Sequence, residues 1–387
     1  MTVRVRAVRS GWVVRDRVPG PDVDEFAEPE RVVEALAATR NGTLLAVQHP
    51  HRTPSALAAG LSLLDALPKA RAELTVLCRT AYRPVSDVVA PYRVDGPDGT
   101  AYGLLCLADP AAVGHTEEVY PDVVAERARV LAGLGCVTSA ALLVPVPADH
   151  LAWPTRRPGR GVAEPSELTR LVAEVDDEPA VSMVDPSGRR HWLWLVGPGH
   201  RQDALLAAAG AHPLMVADGN HRVAAAAAAG LTGLLALVAA GPDLRVGPIH
   251  RALVGTGLTV DELAAAWRGI GLRVDAVDVS VRPSPGVVVA VAGARALRVE
   301  LPSSGVDHAF VEAELLERAL GLDPESPHVR PVTNGVPLDA DALLLIAPVP
   351  VADVLAVHAA GGRMPRKSTY FTPKPRSGLL LADLDRP

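Results

Sequence analysis

Lysine, asparagine and isoleucine each occur only three times in 387 residues: Lys69, Lys367 and Lys374; Asn41, Asn220 and Asn334; Ile249, Ile270 and Ile346. Arginine carries nearly all the positive charge, and alanine, valine and proline are abundant. That pattern fits a GC-rich coding bias, and it is the background against which a rare residue stands out. The three cysteines, Cys78, Cys106 and Cys136, lie far apart without pair spacing. This excludes a disulfide framework or a cysteine-built zinc site and leaves buried apolar thiols as the expectation. No apolar run reaches the ~18 residues that a membrane helix requires. The nearest, Val223–Leu237, is Ala- and Gly-rich and is soon followed by Gly241-Pro242. The opening MTVRVRAVRSGW has none of the apolar segment of a signal peptide, so a cytoplasmic location is expected. A basic excess is missing too: 38 Lys and Arg face 44 Asp and Glu, for a net charge of −6, and the arginines are dispersed. A dedicated nucleic-acid binder would show a basic stripe, so nucleic acid is disfavoured as a partner.

Half of the chain, 49%, is hydrophobic, which suffices for a substantial core. Strands alternating with helices, together with several hairpin signals, predict an α+β (mixed α/β) fold of mixed sheets with flanking helices. Three lobes are expected, at 1–150, 151–260 and 261–387. The Pro-, Arg- and Gly-rich stretch Pro147–Pro165 reads as the clearest loop. Short strands are expected at Thr43–Gln48 and Leu74–Cys78, with a helix from Thr53 to about Leu67 between them. A hairpin connection is expected at Val94–Thr100, a helix over Glu117–Leu134, and a second hairpin joining Ala180–Val184 to His191–Val196.

The most informative stretch is Pro213-Leu-Met-Val-Ala-Asp-Gly-Asn-His-Arg-Val. A buried strand runs into Asp218-Gly219, and a helix starts within a residue or two. A helix N-terminus presents unpaired N–H groups and partial positive charge, which suits an anion. Arg222 adds a fork of donors fitted to phosphate, and His221 can exchange a proton. Asp218 can cap the helix, orient His221 or hold Mg²⁺. The same residues also fit a plain helix start with a solvated first turn, and spacing alone does not separate the two. The tail Arg363–Gly378 interleaves Lys367, Ser368, Thr369 and Lys374 with Tyr370 and Phe371, then enters an apolar strand, Leu379–Leu381. Such a segment is expected to dock and to offer phosphate or carboxylate ligands. Gly247-Pro-Ile-His-Arg251 holds a second His-Arg pair, His250 and Arg251, for which a surface loop is the blander account. Gly114-His-Thr-Glu-Glu118 is explained as a helix start, capped by Thr116 or Glu117. The acidic group Asp22, Asp24, Glu25 and Glu28 can supply a general base, although a solvated charge run is the default. Gly197-Pro-Gly-His200 lacks the third glycine of a dinucleotide fingerprint.

Taken in order, four motifs resemble the family catalogued as domain of unknown function 1015. They are the His115/Glu117 segment, Ala217–Arg222, Gly247–Arg251 and the tail Met364–Lys374 continuing through Ser377-Gly378-Leu379. The central motif is in turn similar to the nucleotide-binding turn of the ParB/sulfiredoxin superfamily, some members of which phosphorylate free L-serine. The resemblance implies a nucleotide-dependent phosphotransferase acting on the hydroxyl of free serine or a similar small amino acid, with ATP or ADP and Mg²⁺. It implies phosphate binding by Gly219, Asn220, His221, Arg222, His250 and Arg251, and catalytic roles for Glu25, Asp218 and His221. Asp218 would hold the metal, while Lys367, Ser368, Thr369 and Lys374 would clamp substrate or phosphate. Two departures stand out. The family turn usually reads Asp-Gly-His-His-Arg, whereas position 220 is Asn, which cannot titrate. The family's N-terminal Pro-Tyr-Asp-like signature is replaced by Pro21-Asp-Val-Asp-Glu25.

The alternative is a nucleotide- or anion-binding regulatory protein without turnover. A DNA-partitioning relative would need a basic helix-turn-helix, which this chain lacks. Sulfiredoxin-like repair would need a cysteine in the turn, where Asn220 stands. The expected partners are therefore a nucleotide and a small-molecule substrate, with no membrane, and a homo-oligomer is compatible with the sequence.

Overall fold

The computed structural model describes residues 4–23, 29–39, 42–146, 166–242, 244–302, 305–333 and 339–384. Glu25, Glu28 and the loop expected at Pro147–Pro165 lie outside the described residues. The chain divides into two compact units, Met1–Leu244 with Thr372–Pro387, and Arg245–Phe371.

In the first unit, β1 (Val5–Arg6) and β2 (Val8–Val14) precede helices α1 (Pro29–Ala37), α2 (Leu44–Gln48), α3 (Pro54–Ala58) and α4 (Leu67–Thr80). Strands β3 (Tyr82–Val88), β4 (Ala90–Gly96), β5 (Gly99–Ala108) and β6 (Val113–Gly114) lead to helix α5 (Pro121–Leu134). Next come β7 (Cys136–Val137), β8 (Ala141–Pro145), α6 (Glu167–Ala173), β9 (Val181–Val184), β10 (Arg190–Leu193) and α7 (His200–Ala209). Strand β11 (Leu214–Asp218), helix α8 (Asn220–Ala228) and strand β12 (Leu234–Pro242) follow. The second unit contains β13 (Arg245–Gly247), β14 (His250–Val254), α9 (Val260–Gly269), β15 (Val274–Val277), β16 (Val287–Ala292) and β17 (Arg295–Glu300). It continues through α10 (Asp307–Phe310), a π-helical segment Val311–Arg318, β18 (Val329–Val332), β19 (Ala340–Leu345), α11 (Val351–Ala359) and β20 (Tyr370–Thr372). Strand β21 (Leu380–Asp383) belongs to the first unit again.

Among the described residues, the first unit holds a nine-stranded mixed sheet in the order β6-β11-β8-β12-β5-β4-β10-β9, with β1 beside β5. Strands from both sides of residue 150 are interleaved in it. β12 pairs antiparallel with β5 over Leu234–Val238 and parallel with β8 at Ala236–Val238. The long apolar run of β5 explains its place: Leu104, Leu105, Cys106, Leu107 and Ala108 are all buried, as expected of a strand covered on both faces. A second sheet, β3-β2-β21-β7, takes its third strand from the C-terminal segment. The second unit is built on a six-stranded sheet, β15-β17-β16-β19-β14-β18, against which Trp267, Leu263, Leu315 and Leu316 pack.

The mixed α+β architecture agrees with expectation, while three elements differ. Thr43–Gln48 is helical, because the Thr43 hydroxyl accepts a hydrogen bond from Ala46 N at 3.0 Å and caps α2. Its apolar residues do not by themselves distinguish a buried helix from a strand. Leu74–Cys78 lies inside α4, whose buried residues Leu67, Ala70, Leu74 and Leu77 follow the helical period. The helix expected to run from Thr53 to Leu67 stops at Ala58, just before Gly60, which takes a φ of +63°. The hairpin at Val94–Thr100 is present, closing on the pair Gly96 and Gly99. No helix among the described residues is long and apolar enough to cross a membrane.

Candidate functional site

Strand β11 buries Leu214, Met215, Val216 and Ala217, then brings the backbone out at Asp218 beside β8. Gly219 follows with φ +95° and ψ 32°, the left-handed region that glycine enters without steric cost. Helix α8 starts at once, and its buried Val223, Ala225 and Ala226 give it a small-residue face that packs on β8, β11 and α5. The helix N-terminus is thereby pinned at the mouth of the turn. Arg222 Nη1 donates to Ala140 O at 2.7 Å, which ties the turn to the connection between β7 and β8.

Asn220 and His221 are engaged with a segment that sequence reasoning explained as a helix start. Helix α5 begins at Pro121, and the residues before it serve the turn instead. Asn220 is buried; its Oδ1 accepts from Thr116 N at 3.2 Å and lies 3.2 Å from His115 Nδ1, while Nδ2 donates to Thr116 Oγ1 at 3.2 Å. Thr116 Oγ1 donates onward to Val216 O at 2.7 Å, so it is a buried strut and not a helix cap. His221 Nε2 accepts from Tyr120 N at 3.1 Å, and the two rings stack 5.8 Å apart at 13°. A ring nitrogen that accepts is unprotonated, so in this arrangement only Nδ1 of His221 can carry a proton. Thr116 and Tyr120 are therefore part of the site's frame. Their only sequence signal was the neighbouring His115/Glu117 motif.

The tail reaches this turn. Lys374 Nζ stands 3.6 Å from Asp218 Oδ1, with both side chains partly exposed. Ser377 Oγ lies 3.0 Å from Ser139 Oγ, and Thr372 Oγ1 donates to Asp98, which Arg189 also grips at 2.7 Å. Burial raises the Asp98 carboxyl, but the Arg189 and Thr372 hydrogen bonds outweigh it and leave Asp98 below the usual value. Arg376 is buried and forms an ion pair with Asp22. Its backbone N–H donates to Tyr92 Oη at 3.3 Å, at the head of a buried chain. Tyr92 Oη is 2.7 Å from His191 Nδ1, and His191 Nε2 is 3.0 Å from Asp185 Oδ2. Burial depresses the His191 pKa more than Asp185 restores it, so the ring is neutral at pH 7. A consistent set of donors follows: Tyr92 O–H to Nδ1, and Nε2–H to the Asp185 carboxylate. Tyr92, Leu105, Ala140 and Pro375–Leu380 enclose a cavity of about 20 Å³, room for a single water.

The other expected site residues among the described ones lie in the second unit. His250 Nδ1 accepts from Ile346 N at 3.1 Å, and burial lowers its pKa to about 4. Arg251 is only 3% exposed; it pairs with Glu312 at 2.6 Å and donates to the carbonyls of Lys367 and Arg366 at 3.2 Å each. It is thus a clasp on the backbone preceding β20. Lys367 has a φ of +50°, and Ser368 is fully buried, its hydroxyl donating to Pro365 O at 2.6 Å. Thr369 is buried as well. The structure therefore brings Asp218, Gly219, Asn220, His221, Arg222 and Lys374 together in one unit, and His250, Arg251 and Lys367 together in the other. Among the described residues no cluster of three or more His, Cys, Asp or Glu could hold a metal by itself. The single Asp218 carboxylate suits Mg²⁺ only where phosphate oxygens and waters complete the octahedron. The thiols are inert: burial pushes Cys78 up to about 11 and Cys106 up to about 12.

A family model described as a protein of unknown function (DUF1015) matches residues 162–270, a stretch that contains Asp218–Arg222 and Gly247–Arg251. Among solved structures the chain is similar to a conserved hypothetical protein from Pyrococcus furiosus, with 10% identity and a TM-score of 0.39, over 73% of this chain and 95% of that one. It is also similar to a free serine kinase mutant in complex with ADP, with 11% identity and a TM-score of 0.40, over 73% and 92% of the two chains. SbnI with a C-terminal truncation, from Staphylococcus aureus, shows 13% identity and a TM-score of 0.39, over 71% and 85%. No curated protein matches the sequence.

Proposed function

We propose that the Asp218–Arg222 turn binds the phosphates of ATP or ADP and that the chain transfers a phosphoryl group to the hydroxyl of free serine or a similar small amino acid. One observation carries this reading: a left-handed glycine opens α8 at the end of β11, and Lys374 from the far end of the chain stands 3.6 Å from Asp218 in that turn. Phosphoryl transfer asks mainly for positioning and for positive charge around the phosphates. The first N–H groups of α8, Arg222 and Lys374 supply both. Mg²⁺ held by Asp218 would offset charge on the transferring phosphate. Lys374 marks where an anionic oxygen would sit, since its ammonium already faces a carboxylate. His221, fixed by Tyr120, would offer Nδ1 to a phosphate oxygen or exchange a proton there. Glu25 is assigned the acceptance of the hydroxyl proton on the resemblance alone. A ParB/sulfiredoxin-like origin for the turn belongs to the same proposal.

The experiment is direct. Purified protein is incubated with ATP or ADP, Mg²⁺ and serine, and phosphoserine is measured by mass spectrometry. Formation of phosphoserine that falls at least about tenfold in Lys374→Ala, the loss expected from one charge-assisted contact, supports the reading. If no small amino acid is phosphorylated and no nucleotide shifts the Tm, the reading is wrong. Nucleotide binding without transfer would instead support the regulatory alternative. That alternative has its own observation: Asn220 stands where the family usually has a titratable His, and its amide is spent on Thr116.

A further inference from the structure

Lys374 is flanked by an anchor on each side. Before it, Thr372 begins the return of the chain to the first unit, and its hydroxyl donates to Asp98. Arg189 holds the same carboxylate through Nε at 3.1 Å and Nη2 at 2.7 Å. After it, Arg376 pairs with Asp22 and gives its backbone N–H to Tyr92 Oη at 3.3 Å. Tyr92 Oη in turn lies 2.7 Å from His191 Nδ1.

Both anchors lead back to one place, the turn between β9 and β10. Arg189 and His191 sit on either side of Arg190, the first residue of β10. Asp185, which follows β9 and is buried, organises this turn with both of its oxygens. Oδ1 accepts from Ser187 N at 2.9 Å, Ser187 Oγ at 2.7 Å and Arg189 N at 2.9 Å. Oδ2 stands 3.0 Å from His191 Nε2. An aspartate that bonds backbone N–H groups two residues on is an ordinary way to shape a turn, and Oδ1 alone would serve that purpose. The turn itself does not require the path from Oδ2 through His191 and Tyr92 to Arg376, or the reach of Arg189 to Asp98. These two arms share one outcome: they hold the backbone before and after the lysine whose Nζ stands 3.6 Å from Asp218 Oδ1. A lysine stem is flexible, so fixing its backbone limits where the ammonium can go.

We infer that Asp185 positions Lys374: by ordering the β9–β10 turn it sets Arg189 and His191, and through them fixes the tail on both sides of the lysine that faces Asp218. The use of that position rests on the reading that the Asp218–Arg222 turn binds nucleotide phosphates. An ammonium already in place binds an anion without first giving up its freedom. Asp185, His191 and Tyr92 thus act through Lys374.

The test uses the full chain. It contains only three lysines, so protein labelled with ¹³Cε-lysine gives three lysine signals by NMR, and Lys374→Arg assigns one of them. Asp185→Asn, Tyr92→Phe and Thr372→Val are compared with wild type, with circular dichroism confirming each fold. Asp185→Asn leaves one oxygen for the turn, and the other two substitutions each remove a single hydroxyl. The expected result is that the Lys374 signal moves towards that of a mobile lysine in all three, while the Lys69 signal stays in place. ADP affinity, measured by isothermal titration calorimetry, should fall about threefold or more in each variant, as for one lost hydrogen bond. In a Lys374→Ala background the same substitutions should change it no further. A Lys374 signal that stays in place in any variant that folds overturns the inference, as does an affinity loss that persists in full without Lys374. If ADP fails to bind wild type while the signal moves, the nucleotide reading falls and the positioning stands. If ADP binds and needs Lys374 but the signal ignores the other substitutions, the positioning falls and the nucleotide reading stands.

Discussion

Gly219 concentrates the site's backbone demands in one residue. With φ +95°, any L side chain there is strained, and an added Cβ would sit 3.0 Å from Arg222 Nη1 and 3.6 Å from Ala141 Cα. Gly219→Ala is therefore expected to cost about 1–2 kcal/mol of stability. It should also loosen the Arg222–Ala140 contact, so a urea titration should show the stability loss and phosphate affinity should fall with it. A variant as stable as wild type would mean that the turn tolerates a side chain. This residue was legible in the sequence, because Asp-Gly between an apolar strand and an Ala-rich helix allows few other geometries. The orientation of Asn220 was not legible. Its amide has suitable partners in solvent, in phosphate or in Thr116, and only the packing of residues 114–116 beside β11 selects the last.

At the scale of elements, Arg251 separates a structural role from a binding one. Buried in β14, it is held by Glu312 from the π-helical segment and by two carbonyls that precede β20. Removing one partner of a buried ion pair leaves the other charge uncompensated and costs about 3–5 kcal/mol. Arg251→Ala should therefore lower the urea midpoint strongly, whereas a residue that only bound phosphate would change affinity and leave the midpoint nearly in place. The motif Gly-Pro-Ile-His-Arg was visible in the sequence, but its meaning depended on Glu312, which lies 61 residues away. Some longer elements were readable. Val260–Gly269 announces itself by Thr259 and Glu262, which form the reciprocal capping pair that the structure contains. Short apolar segments were less so. Thr43–Gln48 and Leu74–Cys78 have no period long enough to choose between helix and strand, and the caps or neighbouring turns decided them.

For the whole molecule, buried histidines govern the response to acid. His308 is fully buried with Nε2 2.8 Å from Ile249 O, and burial, reinforced by Arg251, lowers it to about 3. His49 and His250 fall to about 4. Each folded value lies below the ordinary 6.5, so as pH falls the unfolded chain binds protons first. Stability is then present above about pH 6.5 and is lost progressively towards pH 4, with His308 alone contributing a slope of up to about 1.4 kcal/mol per pH unit. The lowered carboxyls Asp98 and Asp185 act only at still lower pH, as they become protonated. Urea unfolding at pH 7.5 and pH 5 should show the loss, and His308→Gln should flatten it; equal stability at both values would refute the assignment. The connectivity has a consequence in time. A ribosome delivers β2 and β7 well before the strand that lies between them, Leu380–Asp383. Until then both carry an open hydrogen-bonding edge, while the second unit already has its full core sequence outside. Lys374 follows the whole second unit in the chain, so its contact with Asp218 forms only after that unit has been synthesised.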